Sequence, residues 1–351
     1  MTLNNVQRMQ VRLYNPADKN KWDDYVKRSN GSTLYHYSGW KTVIEKTFGH
    51  KTFYLMAADA HNEINGILPL VHMKSFIFGN FMVSMPYLNY GGVCADNNYV
   101  QDMLQNEAIN IAQRMNAEYI ELRHSRAIEN GLMTKCSKVS MHLELPASHE
   151  ALWSQFPSKL RSQIKKPQRD GLVARIGKEE EIESFYNVFS LKMRDLGTPV
   201  YPRTFFKNIL EEFKKSAWIC SVYKDEEPVA SGFLFGFKDR LDIPWASSKR
   251  EYDRFNPNML LYWNSLKFAC ENGYRIFDFG RSTPGEGTYK FKEQWGAKPI
   301  QLYWHYWLRD GGPLPELNPK NPKYQMAIKI WKILPVTVTK FIGPKVVKNI
   351  P

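Results

Sequence analysis

The sequence predicts a mixed α/β (α+β) fold made of two tandem domains, each a mixed central sheet flanked by helices. Three observations carry that prediction. Strand-like apolar runs and helix-spaced runs alternate along nearly the whole chain. The order β-α-α-β-β-β-α-β, followed by one more strand, occurs twice, over about 135 residues each time. The chain has 351 residues, room for two cores at about 150 residues per domain.

In the first half, a strand over 9–14 precedes helices over 18–28 and 38–47. Apolar runs at 51–58, 65–73 and 81–85 read as strands. Residues 97–115 carry helical spacing in Met103, Leu104, Ala108, Ile111 and Ala112. Strands over 119–123 and 140–145 complete this half. The second half opens with a strand over 173–176 and helices over 179–196 and 203–215. Strands follow over 217–223, 228–237 and 240–247. A long helix over 257–272 has Asn256 placed to cap it and Gly273 to end it. The apolar strand over 275–279 reads as buried and central, and 302–308 is the last strand. The expected division is 1–146, 147–310 and a basic, Pro-containing tail over 311–351.

Composition narrows the class. Hydrophobic residues are 43% and charged residues 24%, which excludes wholesale disorder and fibrous architectures. No apolar run approaches the roughly 18–20 residues of a membrane span. The opening stretch MTLNNVQRMQVRLYN has no apolar core and predicts no secretory signal. Cys94, Cys136, Cys220 and Cys270 form no CxxC pair, and the eight histidines form no HExxH or HxxxH pair. The expectation is a reducing cytoplasm with no metal. The net charge is +13, which favours polyanionic partners.

Two stretches concentrate the chemistry. SKLRSQIKKPQRDGLVARIGK carries Lys159, Arg161, Lys165, Lys166, Arg169, Arg175 and Lys178 against one acid, Asp170. Arg161 and Lys165 share a helical face, which costs stability unless an anion lies opposite; a phosphate-rich ligand supplies one. A solvated basic face is the equal alternative. Pro167 and Gly171 are expected to stop that helix. The second stretch, RIFDFGRSTPGEGTYKFKEQWGAKP, runs from a buried strand through a Gly-containing loop to a short helix bearing Lys290 and Lys292. Arg281, Ser282 and Thr283 fall at the carboxyl end of that strand, where open α/β sheets bind ligands.

Two such halves, the basic helix before the second and FK-x-x-W-G near its end resemble the Fem-type aminoacyltransferases, built of tandem GNAT-like acyltransferase domains. The likeness spans roughly residues 9–308. SGW…GH at 38–50, LNYGG at 88–92, DLGTPVYP at 195–202 and FGRSTPGEGTYKFKEQWG are most similar to a subgroup associated with exosortase and exopolysaccharide systems. The resemblance implies aminoacyl transfer from aminoacyl-tRNA to an amine on a cell-envelope saccharide or peptide precursor, in the cytoplasm and without a cofactor. The family's Phe-Lys pair, whose lysine supports the acyl group and the tRNA end, matches Phe291-Lys292. The basic helix matches Lys159, Arg161 and Lys165.

Amide formation from an ester needs an oxyanion site and a route for one proton. Lys292 is the expected oxyanion or phosphate stabiliser, Arg281 a phosphate holder, and Asp278 or Glu286 the proton acceptor, directly or through water; a structural hydrogen-bonded carboxylate is the equal alternative for Asp278, and substrate-assisted transfer without a base the alternative for the step. Tyr201 and Trp245 are candidates for shaping the acceptor pocket, against the alternative of plain core packing. An acyl-CoA-dependent N-acyltransferase is the second reading. Coenzyme A enzymes of the GNAT fold hold pyrophosphate on a Gly-rich turn, and here that position reads SSKREYDRFNPNMLLYW, with no glycine. A non-catalytic, polyanion-binding scaffold for envelope assembly is the third. Residues 321–351 hold six lysines and no acid, with an apolar stripe of Met326, Ile330, Ile333 and Leu334. Such a segment is expected to touch an anionic membrane surface, with a helix docked on the second domain as the alternative.

Overall fold

The computed structural model describes residues 9–129, 131–315 and 322–351. Its strands are β1 (Gln10–Leu13), β2 (Lys51–Ala58), β3 (Ile64–Ser75), β4 (Gly79–Val83), β5 (Cys94–Ala95), β6 (Tyr119–His124), β7 (Met133–Lys135), β8 (Val139–Glu144), β9 (Val173–Gly177), β10 (Ala217–Lys224), β11 (Glu227–Phe237), β12 (Arg240–Ser248), β13 (Ile276–Ser282), β14 (Lys298–Gln301) and β15 (Tyr303–Leu308). Its helices are α1 (Lys19–Arg28), α2 (Gly39–Phe48), α3 (Asn98–Arg114), α4 (His149–Gln155), α5 (Ser158–Arg169), α6 (Ile182–Leu196), α7 (Arg203–Glu212), α8 (Pro257–Glu271), α9 (Gly287–Glu293), α10 (Pro322–Ile333) and α11 (Val336–Val347).

The chain divides into two compact units. The first takes residues up to Ser137, then Gln301–Pro315 and Asn349–Pro351; the second takes Lys138–Ile300 and 316–348. Each is built on a mixed sheet. The first sheet runs β1-β2-β3-β4-β6-β15-β7, with β5 on β3, and the second runs β14-β8-β13-β12-β11-β10-β9. Each contains a parallel pair, β4 with β6 or β12 with β13, with an antiparallel pair on either side.

In the first unit, α3 starts where the Asn97 side chain accepts the Val100 N–H at 3.0 Å. Its Val100, Leu104, Ala108, Ile111 and Ala112 pack on Leu55, Leu68 and Ile120 of the sheet. In the second unit, Ser148 caps α4 in the same way, and α6 ends at Gly197, whose φ is +75°. The β8, β12 and β13 residues Met141, Leu143, Leu241, Ile243, Phe277 and Phe279 bury one sheet face with Leu260, Leu261 and Leu266 of α8.

Several expectations change. The strand over 140–145 belongs to the second sheet, beside β13, and the strand over 302–308 belongs to the first, beside β6. Each half thus receives its last strand from the other part of the chain, and the boundary falls at 137/138 rather than 146/147. An alternating pattern tells a strand which face to bury, not which sheet to join. Pro167 does not stop α5, which runs on to Arg169 and ends before Gly171 at φ +81°. Asn256 stands at the start of α8 in the left-handed region, and its side chain makes no cap. The central strand is longer than expected and includes Arg281 and Ser282. The tail forms α10 and α11, which pack on α6, with Thr339, Gly343 and Val347 buried. No helix among the described residues is long and apolar enough to cross a membrane.

Candidate active site

The second unit opens its sheet at one place. β12 and β13 pair in parallel at Arg240 with Ile276, Leu241 with Phe277 and Asp242 with Asp278, and no pairing continues beyond. On its other side β13 pairs with β8, Asp278 opposite His142, until a register shift at Gly280, whose φ is +78°. Residues opposite one another share a sheet face. Asp242, Asp278 and His142 therefore form a polar row across three strands, just where two of them part.

Every oxygen of Asp278 is engaged. Oδ1 accepts Ser140 Oγ at 2.6 Å and the Gly280 N–H at 2.7 Å, and Oδ2 lies 3.2 Å from His142 Nε2. The residue is 1% exposed. Burial works to raise its pKa, but His142 and Arg240 outweigh burial and hold the carboxyl below its usual range. Asp242 accepts both Arg240 Nε at 2.6 Å and Nη2 at 3.2 Å. Burial first, and the charge on Asp278 as well, push it up against the pull of Arg240. One carboxylate is a sealed anion, and its neighbour carries the strain of a second buried charge.

At the free end of β13, Lys292 reaches back from α9. Its Nζ donates to the carbonyls of Gly280 at 2.9 Å and Arg281 at 3.0 Å. An ammonium has three donors, so one is left for an incoming oxygen. Burial lowers its pKa to about 8, with Asp278 raising it and Arg281 adding to the drop. It is a cation at neutral pH that is poised to titrate just above. Beside it, Ser282 Oγ is buried with no hydrogen-bond partner among the described residues, and Thr283 Oγ1 accepts Lys138 Nζ at 2.5 Å.

Phe291, adjacent to Lys292, packs on Tyr262 with ring centres 5.1 Å apart. It also walls a cavity of about 390 Å³ at the start of α8, lined by Gln163, Asp253, Asn256, Asn258, Met259 and Gln294 as well. Pro257 at the head of α8 offers no N–H, and no glycine lines this cavity.

The expected site residues are thus partly gathered. Asp278, Arg281, Ser282, Thr283, Phe291 and Lys292 lie along one strand–loop–helix segment. Glu286 stands exposed just before α9, making no side-chain cap. Tyr201 and Trp245 do meet, with ring centres 6.1 Å apart, in an aromatic cluster with Phe205 and Phe206. Lys159, Arg161 and Lys165 lie on α5, but that helix gives Gln163 to the cavity, and Lys165 sits over the Trp153 ring at 5.7 Å. Sequence reasoning missed His142, Ser140, Arg240 and Asp242. The alternation in Val-Ser-Met-His-Leu at 139–143 was a signal for the first two, hidden by assigning that strand to the other half. Among the described residues no group of three or more His, Cys, Asp or Glu is arranged to hold a metal ion.

The corresponding opening in the first unit is closed. β4 and β6 part after Val83 and Glu121, and the chain then folds into the gap: the Gly91 and Gly92 N–H groups both donate to the Arg123 carbonyl. Arg123 is buried, with its guanidinium on Glu121 at 2.7 Å and the Leu88 carbonyl at 2.6 Å. A Cβ at Gly92 would stand 2.3 Å from the His124 ring, so the close fit requires glycine.

Comparison with known proteins agrees with this architecture. A family described as Acetyltransferase (GNAT) domain matches residues 154–293. Among solved structures, a crystal structure of FemX is similar over 91% of this chain and all of its own, at 14% identity and a TM-score of 0.63. L-PGS from Bacillus licheniformis is similar over 95% of this chain and 98% of its own, at 12% identity and a TM-score of 0.55. A tandem GNAT protein from the clavulanic acid biosynthesis pathway is similar over 88% of this chain and all of its own, at 10% identity and a TM-score of 0.52. No curated protein matches the sequence. The fold is GNAT-like, with two mixed sheets flanked by helices.

Proposed function

We propose that this chain is an acyltransferase that forms an amide, moving an aminoacyl group from aminoacyl-tRNA to an amine on a cell-envelope peptidoglycan or polysaccharide precursor, with the chemistry in the second unit. One observation carries the reading: the parted ends of β12 and β13 bring a buried lysine with a donor to spare close to the buried Asp278 and its partly exposed partner His142. The GNAT match over 154–293 supports acyl transfer. Similarity to FemX and to L-PGS supports the aminoacyl donor and the envelope acceptor.

In this reaction the acceptor nitrogen attacks the ester carbonyl, the C–N bond forms, and the ester C–O bond breaks. Negative charge gathers on the carbonyl oxygen, and the third Lys292 N–H is the donor that meets it. The nitrogen sheds one proton. Asp278 is sealed and fully bonded, so His142, which it orients, takes that proton and returns it to the departing ribose oxygen. Ser282 Oγ, with no partner among the described residues, bonds the substrate. Arg281 and α5 face the phosphates of the tRNA end. The cavity beside Phe291 receives the terminal nucleotide, and its neutral amide side chains suit a base better than a pyrophosphate.

The acetyltransferase match favours a second reading, an acyl-CoA-dependent N-acyltransferase acting on an amino sugar or amine. Pro257 and the missing glycine turn stand against it. The test supplies labelled aminoacyl-tRNA, or labelled acetyl-CoA, to purified protein with a pool of envelope precursors. Base-stable label from tRNA, absent with Lys292→Met, supports the proposal. Label from acetyl-CoA alone replaces the donor, and label from neither refutes the enzyme reading.

A further inference from the structure

The tail is apolar on two sides. One side is spent on the protein. Thr339, Gly343 and Val347 of α11 are buried, and a Cβ at Gly343 would stand 2.9 Å from the Val200 backbone nitrogen. Ile328 of α10 fits against Gly197 in the same close way. Arg194 Nη1 donates to the Leu334 carbonyl at 3.2 Å, fixing the turn between the helices. The other side carries Met326, Ile330 and Ile333, one face of α10, with Phe341 and Ile342 of α11, exposed at 64, 51, 80, 70 and 37%. A helix apolar on both faces needs a second apolar neighbour.

The charges say what kind of neighbour. Between 321 and 351 there is no Asp or Glu. Lys329, Lys332 and Lys345 are exposed along the same two helices, and Lys348 just after the second. Lys345 Nζ lies 4.4 Å from the centre of the exposed Phe341 ring, so cation and apolar surface are presented together. A second copy of this tail would set lysines against lysines. An anionic lipid surface meets both features at once: acyl chains take the isoleucines and the phenylalanine, and phosphate headgroups take the ammonium groups.

We propose that α10 and α11 are an interfacial anchor that lays the second unit on an anionic bilayer, without crossing it. The proposal stands apart from the reaction assigned above and fails or holds without it.

The test is co-sedimentation of the full chain with phosphatidylcholine vesicles, with and without phosphatidylglycerol, at low and high salt, alongside light scattering for self-association. The expected result is binding to the phosphatidylglycerol vesicles, weakened by salt and negligible without the anionic lipid. Ile330→Ser with Phe341→Ser should weaken binding about tenfold or more, and Lys329→Gln with Lys345→Gln should do the same chiefly at low salt. All four side chains are exposed, and unchanged circular dichroism identifies variants that fold normally. Absence of binding to either vesicle overturns the proposal. So does binding indifferent to anionic lipid and salt, or self-association abolished by the Ile330/Phe341 variant in a protein that ignores vesicles.

Discussion

His142 Nε2 lies 3.2 Å from Asp278 Oδ2, and the two residues are register partners on antiparallel strands. Asp278 is sealed while His142 retains 19% side-chain exposure. The carboxylate can orient and polarise the imidazole, but only the imidazole can meet a substrate. His142→Gln is expected to lower kcat by about 10²–10⁴ with little change in KM. Asp278→Asn should cost about as much, and the double variant little more than either alone, because the pair acts as one unit. Steady-state kinetics on the three variants checks this; additive losses would mean that the two residues work separately.

Lys292 supplies a pH signature. Its ammonium persists below about 8 and is lost as pH rises through that value. Activity should therefore fall above pH 8 in the wild type. Lys292→Met should lower the rate by about 10²–10³ and lose that alkaline fall. A rate profile from pH 6 to 10 on both proteins, with melting curves to verify folding, reads the effect.

The first unit has its own pH dependence, in stability. The Val93 N–H donates to His124 Nε2 at 2.9 Å, which leaves the His124 proton on Nδ1, 2.9 Å from His305 Nδ1. Burial lowers the pKa of both rings, and for His124 the neighbouring His305 adds to it. A base depressed in the folded state binds protons more readily when unfolded. Stability is thus fully present above about pH 6.5 and drains away as pH falls below it. The melting temperature of the first unit's transition should drop between pH 7 and 5, and His305→Gln should make that slope shallower.

Closure of the first unit's opening depends on Gly92. Gly92→Ala must displace the His124 ring or the backbone, and should cost about 2 kcal/mol or more. Chemical denaturation measures it. The change lies in the first unit, so the second unit's unfolding transition should hold its position.

Much of this was readable in advance, and most of the failures share one physical origin. The elements from β9 through α9 lie close to where periodicity places them, and Asp278, Phe291 and Lys292 emerged because a buried strand, a Gly-containing loop and a short helix follow one another in sequence. What stayed hidden depends on contacts between distant segments. His142 and Ser140 reach Asp278 only because β8 joins the second sheet, across 138 residues for the Ser140 bond. Arg240 and Asp242 sit on the strand beside, in a stretch read only as a strand. Lys292 was expected as an oxyanion or phosphate stabiliser, and the two β13 carbonyls that hold it were not legible in sequence. Pro167 was no stop: α5 carries it inside the helix and runs on to Arg169.

The proposed donor of the second unit is an aminoacyl-tRNA. Its most direct test is fluorescence titration of the purified protein with charged tRNA, uncharged tRNA and acetyl-CoA at two salt concentrations. Charged tRNA should bind more tightly than uncharged tRNA, with affinity falling at higher salt, and the charged-state preference should be lost in Lys292→Met. Saturable binding of acetyl-CoA with no preference for charged tRNA would contradict the proposed donor.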